Sequence, residues 1–141
     1  MKKWKLLSVI FALFFSLSIL SLADEAYIAS FNILRLGSAK KNMIQTAKIL
    51  QGFDIVGLVE VINRDGVEEL VDELNKQSDE KWDYHISPFG VGSSKYKEYF
   101  AYVYKKDKVK FIKSEGFYKN GKSPLLREPY GATFQIGNFD F

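Results

Sequence analysis

One apolar run of this sequence ends in a carboxylate. Glu60 follows residues 54–59, which are typical of a buried strand, and Asn32 lies inside an earlier apolar run, residues 27–33. Burying a charge is costly unless a partner or a metal ion compensates it. Mg²⁺ needs only one or two protein oxygens, because it keeps much of its water shell. The two residues therefore predict a metal site, with a turn cap at Glu60 and a backbone-bonding Asn32 as the alternative.

A second set of polar residues lies further along the chain. Glu98 begins an aromatic strand, where a carboxylate can orient a catalytic histidine. Tyr96 lies in the lysine-rich loop before it and can face a phosphate. Arg127 offers a planar guanidinium that matches phosphate geometry. The alternatives are a surface strand with cross-strand aromatic pairs and an ordinary surface pair between Arg127 and Glu128.

His85 is the only histidine of the chain. It stands between Tyr84 and Ile86 in a strand-like run, and the chain has no cysteine that could join it in a metal site. A structural, half-exposed position is therefore expected for His85 rather than a catalytic one.

The predicted elements that position these residues alternate between strand and helix up to residue 77, and only strands are predicted from residue 82 onward. Apolar runs predict strands over residues 26–33 and 54–60, and helical periodicity predicts helices over residues 40–51 and 67–77. This order is typical of an α/β (α+β) fold. Four later strands are predicted over residues 82–87, 98–105, 108–114 and 132–136, with a loop over 90–94 and hairpin turns at 106–107 and 137–138.

The first 23 residues read as a signal peptide. Three lysines precede an apolar stretch over residues 6–20, and Ser-Leu-Ala follows at 21–23. This predicts a secreted, periplasmic or cell-envelope protein, with contact to a membrane only if the segment stays uncleaved as an anchor. Those lysines are three of the 20 basic residues, so the rest of the chain carries 17 basic and 17 acidic residues. The net positive charge of the whole chain therefore does not indicate nucleic-acid binding.

Five segments together resemble the endonuclease/exonuclease/phosphatase superfamily, in its deoxyribonuclease I-like branch. The superfamily is recognised in Ile-Ala-Ser-Phe-Asn-Ile at 28–33 and Asp-Ile-Val-Gly-Leu-Val-Glu-Val at 54–61. The nuclease branch is recognised in Tyr-Lys-Glu at 96–98, Lys-Val at 108–109 and Arg-Glu-Pro at 127–129. The resemblance spans residues 26–136, and it implies a four-layer αββα sandwich of two similar halves.

The resemblance also implies a role for each candidate residue. Glu60 would bind Mg²⁺, with Mn²⁺ or Ca²⁺ as alternatives, and Asn32 would be its partner in the catalytic and metal site. Glu98 would orient a histidine that acts as general acid and base, while Arg127 and Tyr96 would contact the DNA backbone. The implied reaction is hydrolysis of a DNA phosphodiester by an activated water. No stable protein partner is implied.

The sequence departs from the family pattern in three ways. Ile62 stands where the nuclease branch usually has a basic residue, two places after the metal glutamate, and Val59 replaces a polar residue. The two catalytic histidines and the Gly-Asp-Phe-Asn and Ser-Asp-His segments have no counterpart before Phe141. We therefore expect residues 24–141 to be the N-terminal half of the domain. This fragment should be inactive or nearly so, and its first sheet should lack its facing sheet and expose an apolar surface.

Two other functions fit the same sequence. One is a different phosphodiesterase or phosphatase of the superfamily, such as a sphingomyelinase or a sugar-phosphate phosphatase. The other is an exported binding or adhesion domain without catalysis, whose aromatic, lysine-rich strands form a recognition surface. The Tyr-Lys-Glu and Arg-Glu-Pro segments favour the nuclease.

Overall fold

The computed structural model of the chain describes residues 25–119, 121 and 125–141. The predicted signal peptide, residues 1–23, lies outside these ranges. Within them, no helix combines the length and apolar character that crossing a membrane requires.

The described residues form two helices and eight strands, in the order that the sequence predicts except that the predicted loop over 90–94 contains a short strand. The elements are β1 (Ile28–Leu36), α1 (Met43–Leu50), β2 (Ile55–Val61), α2 (Arg64–Gln77), β3 (Trp82–Ile86), β4 (Val91–Gly92), β5 (Lys97–Lys105), β6 (Val109–Phe117), β7 (Tyr130–Ile136) and β8 (Phe139–Asp140). The predicted α/β class is confirmed. Its two sheets and two helices are consistent with one half of the implied sandwich.

The first sheet has the strand order β1-β2-β5-β3, and β4 pairs with β5. Strands β1 and β2 are parallel, and β5 runs antiparallel to β2, β3 and β4. Both helices pack on one face of this sheet, because their apolar stripes and the alternate residues of β2 form one core. Members of that core include Ala47, Leu50, Val56, Leu58, Val67, Leu70, Leu74 and Val103.

The second sheet consists of β6, β7 and β8. It packs on the other face of the first sheet, where Phe134 is 1% exposed and contacts the rings of Tyr102, Tyr104 and Phe111. The expectation that the first sheet lacks any facing sheet is therefore wrong, since β6 to β8 fold back over it. They cover only part of the face, and an open apolar cavity of about 260 Å³ remains beside Phe134.

The turn after β5 was predicted to close a hairpin, and this prediction is wrong. Strand β6 pairs with β7 and not with β5, so the turn carries the chain from one sheet to the other. The buried carboxylate of Asp54 holds this crossing, with Lys108 Nζ at 2.8 Å and Lys105 Nζ at 3.5 Å from its oxygens. Two lysines that flank the turn thus converge on one charge at the start of β2.

The predicted hairpin between β7 and β8 is confirmed. Ile136 pairs with Phe139 across a two-residue turn, and Gly137 has φ +56°. Such tight turns need a left-handed backbone, which glycine adopts without steric cost.

A close backbone contact joins the end of β1 to the start of α2. Asn63 caps α2 by accepting a hydrogen bond from Gly66 N at 2.9 Å, and its amide nitrogen donates to Gly37 O at 2.9 Å. A Cβ on Gly66 would lie 2.6 Å from the Gly37 nitrogen. This contact fixes the loop after β1 beside the loop after β2.

We predict that Gly66→Ala destabilises the protein by roughly 1–3 kcal/mol, because backbone atoms cannot move aside as a flexible side chain can. The free energy of unfolding in urea measures the effect. Gly52→Ala is the matched control, since its nearest neighbour would lie 3.6 Å from the new Cβ. Equal stability of the two variants would show that the contact at Gly66 is not tight.

His85 lies between the two sheets, in agreement with a structural role. Its ring stacks on Phe111 at 4.2 Å between centroids, and its Nε2 is 2.7 Å from the Tyr130 hydroxyl, which is also 2.7 Å from Ser114 Oγ. Burial lowers the pKa of His85 below its usual 6.5, and the positive charge of Arg64 lowers it further.

This lowered pKa predicts a loss of stability in mild acid. The unfolded chain takes up the proton near pH 6.5 more readily than the folded protein does, so stability is complete above that pH and falls below it. Urea unfolding at pH 7.5 and pH 5.5 measures the loss. His85→Phe keeps the stacking and removes the proton, so its loss should be smaller; an unchanged loss would assign the pH dependence to other groups.

Candidate functional site

Glu60 lies at an irregularity near the end of β2. The pairing of β2 with β5 shifts register between Leu58 and Val61, and Glu60 has φ +62°. A non-glycine residue with a left-handed backbone is uncommon and strained. The irregularity takes Glu60 out of the alternation of the strand, so its side chain is half-exposed at the sheet edge.

Asn32 meets Glu60 at this edge. Its amide nitrogen donates to Glu60 Oε1 at 2.8 Å, and its amide oxygen accepts from the backbone nitrogen of Leu34 at 2.9 Å. The parallel pairing of β1 with β2 brings the two residues together, as expected for polar groups at neighbouring strand ends. Both ends of the amide are engaged here, so Asn32 orients the carboxylate, and its role as a metal ligand stays a prediction.

Glu98 and Arg127 form an ion pair, with 3.0 Å between Arg127 Nε and Glu98 Oε2. Glu98 is 8% exposed, whereas the Arg127 side chain is about half exposed at 49%. A buried carboxylate needs such a partner. In this structure the predicted phosphate contact Arg127 is therefore paired with the carboxylate of Glu98.

Tyr96 lies just before Glu98, in a tight turn. Ser93 Oγ accepts a hydrogen bond from Tyr96 N at 3.1 Å, and Gly92 has φ +132°, where a Cβ would lie 2.6 Å from Tyr96 O. Burial raises the pKa of Tyr96, hydrogen bonding to Glu98 and the charges of Glu98 and Glu60 raise it further, and Arg35 opposes them.

Arg35 joins the site although its sequence context gave no signal for it. Its guanidinium carbon lies over the Tyr96 ring, 5.5 Å from the centroid. Gly92 and Ser93, which shape the turn that carries Tyr96, lie in the loop that was predicted over residues 90–94. The glycine and serine residues of that segment are a local turn signal, whereas the stacking of the Arg35 side chain depends on how β1 ends.

The predicted residues therefore come together. Asn32 and Glu60 lie at the ends of β1 and β2, and Tyr96 and Glu98 lie at the start of the antiparallel β5, at the same end of the sheet. Arg127 reaches the group from the segment before β7. His85, in contrast, lies between the sheets against Tyr130 and takes no part in the site.

The carboxylates of this site do not form a cluster of metal ligands in the described ranges. Among the described residues, no three His, Cys, Asp or Glu side chains converge on one point, and Glu60 makes no ion pair. Mg²⁺ can bind through one or two carboxylates together with water and substrate phosphates, so Glu60 as its ligand stays a prediction.

Comparison with known proteins reveals similarity to deoxyribonucleases, although no family model matches the chain. It is 29% identical over 114 residues to "Deoxyribonuclease" of Thioalkalivibrio sp. (strain K90mix), covering 80% of this chain and 31% of that protein. It is 33% identical over 124 residues to mouse Deoxyribonuclease-1, covering 79% of this chain and 43% of the relative. With human Deoxyribonuclease-1 the identity is 32% over 147 residues, covering 99% of this chain and 50% of the relative.

The chain spans half or less of the length of these curated relatives. The matches include both the β1–β2 region and the later strands, since they cover about four fifths of the chain or more. They support a deoxyribonuclease I-like relationship for this protein.

Proposed function

We propose that this protein provides the metal- and phosphate-binding half of a Mg²⁺-dependent, deoxyribonuclease I-like endonuclease. The observation that carries the proposal is the oriented carboxylate of Glu60, bonded to Asn32 at 2.8 Å and lacking an ion-pair partner in the described ranges. A negative group without a cation, beside a tyrosine and arginines, is suited to a metal and a phosphate at the same place. The names of the relatives favour DNA as the substrate.

Each residue has a distinct part in this proposal. Bound Mg²⁺ would supply Lewis-acid stabilisation of the charge that develops on a phosphodiester. Glu60 holds the ion, and Asn32 fixes the carboxylate in the orientation that it needs. Tyr96 and Arg127 face the phosphate backbone, and Glu98 holds Arg127 in place through its 3.0 Å ion pair. Backbone contacts of this kind give little sequence selectivity and strong salt dependence.

The same residues do not supply a general base. His85 is the only histidine of the chain, and it lies between the sheets with its Nε2 bonded to Tyr130. We therefore propose that the 141-residue chain binds Mg²⁺ and DNA but hydrolyses DNA slowly or not at all. Glu98 would position a general-base histidine in a complete site. We also propose that residues 1–23 direct export of the protein.

Removal of the Glu60 charge tests the metal site. At constant ionic strength, Mg²⁺ should strengthen binding of a fluorescein-labelled DNA duplex by about tenfold relative to EDTA, because the ion bridges the carboxylate and a phosphate. Glu60→Gln should abolish this gain, measured by fluorescence anisotropy. Glu69→Gln is the matched control, because Glu69 is an exposed glutamate on α2 outside the site.

A gain from Mg²⁺ that persists in Glu60→Gln would contradict the assignment of Glu60. Plasmid nicking in Mg²⁺ provides a second readout on the same proteins. The chain should stay near background, and any nicking above background should disappear in both Glu60→Ala and Glu98→Ala. Nicking that survives these changes would place the activity elsewhere.

A further inference from the structure

Strand β1 ends in an unusual backbone excursion. Leu34 and Arg35 have φ +47° and +59°, and the pairing of β1 with β2 shifts register between Asn32 and Leu36. Two consecutive non-glycine residues in the left-handed region cost free energy, so the surrounding structure must hold them there. Strain of this kind is concentrated at functional sites, and here it displays the side chain of Arg35.

Contacts on both sides define this excursion. Before it, Leu34 N donates to Asn32 Oδ1 at 2.9 Å, and after it, the nitrogens of Ser38 and Ala39 both donate to Arg35 O at 3.1 Å. Leu36 then returns to the core with no exposed surface. The backbone of Arg35 is therefore fixed, and its side chain is exposed towards Tyr96.

The guanidinium of Arg35 is held but not neutralised. Among the described residues, no carboxylate forms an ion pair with it, and its contact is the face of the Tyr96 ring at 5.5 Å. Stacking on an aromatic ring orients an arginine while leaving its N–H groups free to bind an anion. Arg127, in contrast, is paired with Glu98 at 3.0 Å.

Of the other two arginines in the described ranges, Arg127 is paired with Glu98, and Arg64 is engaged with Tyr84. Arg64 donates to the Tyr84 hydroxyl at 3.1 Å and lies over that ring, and the same hydroxyl donates to Glu68 at 2.6 Å. Ile62 stands at the position, two places after Glu60, where the resemblance leads one to expect a basic residue. Among the described arginines, Arg35 is therefore the one that is oriented by a ring and makes neither an ion pair nor a side-chain hydrogen bond.

We propose that Arg35 binds a backbone phosphate of the nucleic acid next to Glu60, and that it supplies the positive contact that Ile62 cannot make. The inference rests on the proposed function, and it deepens it by assigning the main phosphate contact to the end of β1. Because Arg127 is committed to Glu98, Arg35 contributes more to binding than Arg127 does.

Salt-dependent DNA binding by the full chain tests this role. Fluorescence anisotropy of a labelled 12- to 20-base-pair duplex, of the order of one or two helical turns, is measured in EDTA at several NaCl concentrations. Arg35→Gln should weaken binding by about tenfold at low salt and reduce the slope of log K against log[salt] by about one. Arg127→Gln should have a smaller effect, and Arg35→Lys should retain most of the slope.

Two further variants separate binding from folding. Arg35→Gly relieves the left-handed strain, so it should unfold at the same or a higher urea concentration and yet bind DNA as weakly as Arg35→Gln. Lys48→Gln removes one positive charge from the last turn of α1. That turn leads back to the start of β2, at the opposite end of the sheet from Glu60, so binding should change by less than about twofold.

The outcomes distinguish this inference from the proposed function. If the chain binds DNA and Arg35→Gln behaves like Lys48→Gln, the inference is overturned while the proposed function stands. If Arg35→Gly loses both stability and binding, Arg35 has a structural role and the inference is also overturned. If the unaltered chain shows no salt-dependent binding at all, the proposed function fails and the inference fails with it.

Discussion

The left-handed backbone at Glu60 is the constraint on which the candidate site depends. An L-residue in this region costs on the order of 1–3 kcal/mol, and Glu60 adopts it inside a strand with neighbours on both sides. The hydrogen-bonded pairing of β2 with β1 and β5 holds the backbone of Glu60 in this conformation. In return the carboxylate leaves the alternation of the strand and meets Asn32 at the sheet edge. A regular strand would direct the side chain of Glu60 towards one of the packed faces.

The positive groups of the site are held by two different physical interactions. Glu98 fixes Arg127 through an ion pair, whereas Tyr96 fixes Arg35 through its aromatic face. The first interaction uses the charge of the arginine, and the second leaves it available. This difference explains why an arginine at the end of β1, which the resemblance does not assign, is the stronger candidate for a phosphate contact.

Local patterns were sufficient to predict most elements of the fold. The helices and the strands of the first sheet lie close to their predicted positions, because their apolar spacing and their turn residues depend on neighbouring positions in the chain. The turn at 106–107 was misread for the opposite reason. Whether two successive strands pair or enter different sheets depends on distant contacts, and here the buried Asp54 draws both Lys105 and Lys108.

The sequence by itself determined the fold class and the candidate residues, since residue type and strand position single out Glu60, Asn32, Tyr96, Glu98 and Arg127 as polar groups near strand ends, and the resemblance implies their roles. The tertiary structure decided how these groups are paired. It bonded Asn32 to Glu60, committed Arg127 to Glu98 and brought Arg35 over Tyr96. These pairings follow from strand register and left-handed backbone at the ends of β1 and β2, and neither is specified by local sequence.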